Sequence, residues 1–303
     1  MSMTETLTIR IGHSPDPDDA FMWFPLANFT DPSGETHTPR INTRGFDFTH
    51  VMEDIESLNQ RSQRGELEVT ALSIHQYPYV ADQYVLTSCG SSMGDGYGPI
   101  VVTKQTNADA NTAQWLKGKR LAIPGVRTSA WLAMQLRLAE LGLSEKDIDW
   151  QVTPFDEIPD AVLNNQADAG LLIHEGQLTY QQQGLRLVED LGVWWTTSRN
   201  LPLPLGGNAI RKDLADNLPR LTRVLLDSIN YALEHREDSV RFALQWARGM
   251  EADLADRFVG MYVNQWTLDY GDRGRAAVTQ LINEGVEANL IPDTGPVTFA
   301  EPE

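Results

Sequence analysis

A chain of 303 residues with 24 Lys and Arg against 42 Asp and Glu has a formal net charge of −18, which excludes the basic footprint that nucleic acid or an anionic membrane requires. With 41% hydrophobic residues, it is long enough to bury one large or two medium α/β cores and too apolar for a disordered chain. Its single cysteine, Cys89, rules out an intramolecular disulfide and a cysteine metal cluster and fits a reducing compartment; with neither a leader-like start nor a long apolar run, a cytoplasmic protein is expected.

Residues 7–12 alternate apolar and polar side chains, the signature of a strand, and run into His13-Ser14-Pro15-Asp16-Pro17-Asp18-Asp19. The prolines donate to no ladder, and Asp18 or Asp19 is placed to cap an aromatic helix over residues 20–24. Strand, tight turn and helix start make a ligand-facing corner, with Ser14 and Asp18 as candidate contacts; capping is the plainer role for these aspartates. Residues 30–44 read as a loop, 46–51 as a strand, 54–65 as a helix and 67–72 as a further strand, the grammar of a βαβ unit. Ser73 falls where that strand gives way to Ile74-His75-Gln76-Tyr77, so its hydroxyl is placed to cap a following helix and to face a ligand.

Gly90-Ser91-Ser92-Met93-Gly94 matches G-x-S-x-G, but a nucleophile elbow needs a helix directly after the serine, and Asp95-Gly96-Tyr97-Gly98-Pro99 follows instead. The same glycines lack dinucleotide-binding spacing and open a strand at 100–103, so they read as a flexible crossing between domains. No phosphate-binding loop is present, and the six histidines show no metal-ligand spacing, so no metal site is expected.

A helix ending near Gly118, a strand over 121–125 and a glycine turn lead to Thr128-Ser129, which open a helix over 130–141 stopped by Gly142. Free N–H groups, hydroxyls and the positive dipole end at such a corner suit an anion, with a carboxylate as the natural guest; an ordinary cap has the same sequence. A strand at 150–153 and a helix at 158–165 precede Ala167-Asp168-Ala169-Gly170-Leu171-Leu172-Ile173-His174-Glu175. This stretch reads as a short strand covered on both faces that ends in an ionisable pair. Ligands of open α/β sheets sit beyond the carboxyl ends of their strands, which aims His174 at a crevice, where imidazole moves a proton near neutral pH. A histidine at a strand end also serves simply to satisfy a backbone group. After Trp194-Trp195 comes a Thr-Ser-rich turn. Residues 201–210 then carry prolines at alternate positions, which permit an extended return crossing but not a central strand needing every N–H. Helices over 214–235, 239–248, 254–265 and 273–288 pack back on the first domain.

The whole arrangement resembles the type II periplasmic-binding-protein fold, an α/β architecture of two α/β domains with a ligand cleft between them. It implies a discontinuous first domain of residues 1–99 and 205–303 and an inserted domain of 100–204. Within that fold, the chain is similar to the 1,4-dihydroxy-6-naphthoate synthase family of the futalosine route to menaquinone, from residue 9 to about 285. Four segments carry the resemblance: S-P-D-P-D-D at 14–19, Ala71-Leu72-Ser73, Leu171-Leu172-Ile173-His174-Glu175, and Leu201-Pro202-Leu203-Pro204-Leu205-Gly206. Gly125-Val126-Arg127-Thr128-Ser129-Ala130 adds a looser match. The resemblance implies a lyase that fragments cyclic de-hypoxanthinyl futalosine, a small carboxylate substrate, without metal or redox cofactor. By analogy His174 is the base, and Ser73, Thr128 and Ser129 hold polar or carboxylate groups of the substrate; Ser14, Asp18 and Glu175 complete the candidate contacts. The chain departs from the family's usual turn, S-P-C-P-N-D-T, by carrying Asp16, Asp18 and Ala20 at the cysteine, asparagine and threonine positions. Carboxylates beside an anionic substrate repel it unless they are protonated or turned away. Chorismate dehydratase, a sister enzyme of the fold, is the nearest enzymatic alternative. A non-catalytic receptor for a small carboxylate would require export, and a regulatory domain would bring a DNA-binding helix-turn-helix, for which the strand at Leu7 leaves no room.

Overall fold

The alternating N-terminal stretch becomes β1 (Leu7–His13), with Ile9 and Ile11 fully buried and Thr8 and Arg10 facing outward. The computed structural model describes residues 6–31, 33–106, 112–247 and 250–303. After β1 come α1 (Pro17–Trp23), β2 (Phe46–Met52), α2 (Ile55–Ser62), β3 (Val69–Ser73), β4 (Tyr84–Thr87) and β5 (Ser92–Gly94). The middle of the chain forms β6 (Ile100–Thr103), α3 (Thr112–Leu116), β7 (Arg120–Ile123), α4 (Ser129–Glu140), β8 (Asp149–Val152), α5 (Ile158–Leu163), β9 (Ala169–Leu172), α6 (Gly176–Thr179), β10 (Arg186–Asp190) and α7 (Leu191–Arg199). The last part holds β11 (Leu203–Arg211), α8 (Leu218–Glu234), α9 (Arg236–Leu244), α10 (Ala252–Tyr262), α11 (Gln265–Leu268), α12 (Gly271–Glu287) and β12 (Phe299–Ala300).

These strands make two sheets, one of seven strands in the order β12-β4-β11-β3-β1-β2 with β5 also on β11, and one of five in the order β10-β6-β9-β7-β8. β1 runs parallel to β2 and β3, and β7 runs parallel to β8 and β9, so the carboxyl ends of four inner strands carry the turns that begin at Ser14, Ile74, Pro124 and Ile173. That is where ligands of open α/β sheets bind. The first sheet draws on residues before 95 and after 202 and the second on 100–190, so the chain passes between them at 95–99 and again after α7.

A core of Ile9, Ile11, Phe21, Trp23, Leu225, Ile229 and Phe242 lies under α1, α8 and α9. α8 buries Leu221, Val224, Leu225, Ser228, Ile229 and Ala232, the three-and-four spacing of one helix face. A second core runs without a break from Leu72 and Leu86 of the first sheet through Trp131, Trp195 and Leu281 to Leu121 and Leu171 of the second. Arg199 pins this junction by pairing at 2.6 Å with Glu140 of α4 and at 2.6 Å with Glu284 of α12.

Four local expectations are corrected. The Thr-Ser-rich stretch after Trp194-Trp195, read as a turn, is part of α7, which Asp190 caps through Gly192 and Val193 N–H at 2.8 and 3.0 Å. Residues 201–210, read as a return crossing unfit for a central strand, instead run from 203 on as the central strand β11, bonded to β3, β4 and β5. The N–H that Pro204 lacks falls at a register shift between Pro204 and Gly206, so the ladder from 206 to 210 is intact. The helix expected after Ser73 is instead a turn and a short 3-10 helix, Tyr77–Tyr79. Finally, α1 starts at Pro17 with Asp16 at its N-cap, not Asp18 or Asp19. Among the described residues, no helix is long and apolar enough to cross a membrane.

Candidate functional site

The strand-end turns, β11 and α10 line one cleft of about 730 Å³, counted to its open mouth. The β1 turn supplies Ser14, Asp18 and Asp19, the end of β3 supplies Ser73, and the start of α4 supplies Thr128 and Ser129. His174 enters from beyond β9. Six of the seven expected contacts therefore share one cavity. Glu175, the seventh, is not among the residues that line it; it occupies the N-cap position of α6 beside His174.

The β1 corner is held from beneath by a buried histidine, His13, and a half-buried one, His50. His13 Nδ1 lies 2.8 Å from the Ser14 carbonyl, which only accepts, so the proton sits on that nitrogen and Nε2 accepts from His50 Nδ1 at 2.8 Å. Burial pushes His13 down to about 3 and His50 to about 4, so both are neutral. Above them the Ser14 N–H donates to Asp19 Oδ2 at 2.8 Å, and the Asp16 N–H donates to Ser14 Oγ at 3.2 Å. Asp16 makes no side-chain cap to α1; its Oδ2 faces His174 Nδ1 at 3.4 Å instead.

The other hydroxyls are more occupied than their spacing suggested. Asn59 of α2, fully buried, donates to Ser73 Oγ at 3.0 Å and accepts the Ser73 N–H at 2.9 Å. Thr128 Oγ1 donates to the Gly125 carbonyl at 2.9 Å and accepts the Trp131 N–H at 3.2 Å, a full N-cap. Ser129 Oγ donates to the Leu205 carbonyl of β11 at 2.5 Å and accepts the His75 N–H at 3.2 Å, while His75 Nδ1 lies 3.0 Å from the Thr128 carbonyl. The α4 corner is thereby fastened to the first sheet at the cleft wall. Gly125 belongs to the same fastening, since a Cβ there would stand 2.5 Å from Glu56 Oε2.

His174 has a left-handed backbone, φ 52°, a conformation that costs a non-glycine residue on the order of 1–2 kcal/mol and recurs at functional sites. Its side chain is 18% exposed, and the Phe155 ring packs edge-on at 4.8 Å. Burial pulls its pKa down, but Asp16, Glu175, Asp18 and Asp19 together outweigh burial and the net shift is upward. Nε2 is buried with no hydrogen-bond partner among the described residues. Burial first, then the mutual repulsion of the aspartates, raises both Asp18 and Asp19. The arrangement presents one imidazole lone pair beside a cluster of carboxyl groups, a geometry suited to proton transfer.

The sequence reading did not single out Asn59, Gln177, Asn208, Phe258 or Tyr262. Tyr262 of α10 donates to Gln177 Oε1 of α6 at 2.9 Å across the cleft mouth, and Asn208 donates to the Gly90 carbonyl at 2.7 Å from the cleft floor. The legible signal was a polar residue on an apolar face: Asn59 lies four residues after Ile55 and one after Leu58, and Asn208 interrupts a buried strand. A metal-competent grouping also escaped histidine spacing. Asp31, Glu35 and His37 approach within 4.8 Å outside the cleft, although Asp31 already accepts from Ser33, Glu35 and His37.

Two sheets joined by two crossings, with turns from both converging on one cleft, define a protein of the periplasmic-binding-protein fold. The periplasmic aliphatic sulphonate binding protein of Escherichia coli has the same fold, with a TM-score of 0.65 at 15% identity over 96% of each chain. A solved structure from Archaeoglobus fulgidus aligns with a TM-score of 0.79 and 39% identity, covering 94% of this chain and 98% of that one. The 1,4-dihydroxy-6-naphthoate synthase of Streptomyces coelicolor is 35% identical over 299 residues, 97% of this chain and 99% of that protein. The sequence profile of the menaquinone biosynthesis family matches residues 9–287, and the chain belongs to that family.

Proposed function

We propose that this protein converts cyclic de-hypoxanthinyl futalosine to 1,4-dihydroxy-6-naphthoate, with His174 as the general base. The observation that carries the reading is the buried, unpartnered Nε2 of His174 in the cleft. With Asp16 facing Nδ1, the proton is held on that nitrogen and Nε2 keeps its lone pair for a substrate C–H next to an activated carbonyl. The electron pair left by that proton forms a carbon–carbon double bond as the bond to the sugar-derived part of the substrate breaks; that part departs as the leaving group and takes up a proton, and the remaining ring system aromatises. The walls formed by the β3 and α4 corners exclude water while the anionic intermediate exists. Ser14, Asp18, Ser73, Thr128 and Ser129 are the groups we assign to the substrate, a small carboxylate. Ser129 acts there chiefly through the N–H groups of the helix start, because its hydroxyl is committed to Leu205, and Thr128 acts by shaping that start, because its N–H and hydroxyl both bond the Gly125 carbonyl.

Purified protein incubated with cyclic de-hypoxanthinyl futalosine should yield 1,4-dihydroxy-6-naphthoate on chromatography. His174→Ala should retain ligand-induced thermal stabilisation and lose at least about a hundredfold in turnover, the usual worth of a positioned base. Equal turnover by the variant would remove His174 from the role, and no product from the wild type would remove the reaction.

A further inference from the structure

Three aspartates of the β1 corner converge on one imidazole, and they are not equivalent. Asp16 faces His174 Nδ1, and Asp19 accepts the Ser14 N–H. Asp18, 7% exposed and lining the cleft, has its Oδ1 buried with no hydrogen-bond partner among the described residues. The one contact that favours its charged form within the turn is the Asp19 backbone N–H. From neighbouring elements, α10 brings Tyr262, whose hydroxyl is spent on Gln177. From α9 comes Arg236, which lies over the Phe21 ring and pairs with Asp256. α8 contributes the Ser228 hydroxyl, bonded to the Met22 carbonyl, and the turn after β9 contributes His174 itself. A carboxylate in this position would be a third negative charge beside Asp16 and Asp19, desolvated and facing an anionic guest.

We propose that Asp18 works as a neutral carboxylic acid and donates its O–H to an acceptor oxygen, carbonyl or carboxylate, of the bound substrate. In this state the buried Oδ1 gains the partner it lacks, and the corner presents a donor where an ionised side chain would repel. The upward pressure of burial and of the two flanking aspartates on this carboxyl acts in the same direction. The proton stays on Asp18 throughout, and His174 remains the group that takes the substrate proton. The nature of the bound substrate rests on the function proposed above, whereas the neutral acid does not.

The decisive measurement is an infrared difference spectrum, wild type minus Asp18→Asn, recorded without substrate from neutral to alkaline pH. A protonated-carboxyl band present at neutral pH and lost on alkaline titration is expected; its absence at neutral pH overturns the proposal. With cyclic de-hypoxanthinyl futalosine, wild-type kcat/KM should fall about tenfold per pH unit above the Asp18 titration, mainly through KM. Asp18→Asn, whose amide donates at every pH, should lack that alkaline limb, and Asp18→Ala should show a raised KM across the range. A limb that persists in Asp18→Asn overturns the donor role. A wild type that turns nothing over overturns the proposed reaction and with it the donor role, while the infrared band still decides the neutral acid.

Discussion

His174 owes its properties to its neighbours more than to its own type. The left-handed turn takes the chain out of β9 and sets the imidazole opposite Asp16, a residue more than 150 positions earlier in the chain. Asp16 is the largest of the influences that raise the pKa of His174 against the opposing pull of burial. A base works in its deprotonated form, so activity should rise with pH through the raised His174 titration. Asp16→Asn should lower that titration, followed by NMR of the imidazole, and move the acid limb of kcat/KM to lower pH; an unchanged titration would remove Asp16 as a positioning residue. Asn59 acts at the same scale on Ser73, since its amide satisfies both the N–H and the hydroxyl of that residue. Asn59→Ala leaves a buried N–H unpaired and should cost about 1–3 kcal/mol in urea denaturation. That the β1 turn, Ser73, Thr128 and His174 lie at strand ends and helix starts was legible in the sequence; that they line one cleft followed from the resemblance in fold. That the Thr128 hydroxyl caps α4 was one of two readings the sequence left open; that the Ser129 hydroxyl is committed was not legible, because its acceptor, Leu205, lies on a strand of the other sheet.

At the scale of elements, a strand that carries prolines and a helix that carries two tryptophans behave differently from their composition. β11 is central despite Pro204 because β5 meets it at a register shift, so the missing donor costs no ladder bond that its neighbours rely on. α7 forms because Asp190 caps it and because Gly192 lets residues 97–98 of the first crossing lie directly on its first turn. A Cβ at 192 would stand 1.9 Å from the Tyr97 carbonyl. Gly192→Ala therefore forces the crossing and the helix apart. It should lower stability by at least about 1–3 kcal/mol and speed protease cleavage within 95–99; a variant as stable and as resistant as the wild type would contradict this packing. A reading of local residue types cannot find such a feature, because the partner that demands glycine lies about a hundred residues away in sequence.

In the whole molecule, three neutral histidines, two buried and one half-buried, tie the site to stability. His13 and His50 support the β1 corner, and His75 joins the first sheet to the start of α4. Burial lowers their pKa values to about 3, about 4 and about 4 from an ordinary 6.5. With folded values depressed, the unfolded chain binds more protons at these three sites below pH 6.5, so they contribute a loss of stability as pH drops from about 6.5 towards 4. Asp18 and Asp19 oppose it, because their raised values make the folded state hold their protons over the same range. The urea midpoint of the wild type, measured relative to His75→Gln, should decline over that window; equal pH dependence in the two proteins would contradict the assignment of His75 as neutral. By itself the sequence determined the alternation of strands and helices, the α/β class and the positions of the turns that line the cleft, because periodicity and capping are local properties of a few neighbouring residues. Only the tertiary structure decided which carboxyl faces His174, which hydroxyls are free and which crossing lies on which helix. Those relations depend on burial and on contacts between residues far apart in the chain, which spacing does not encode.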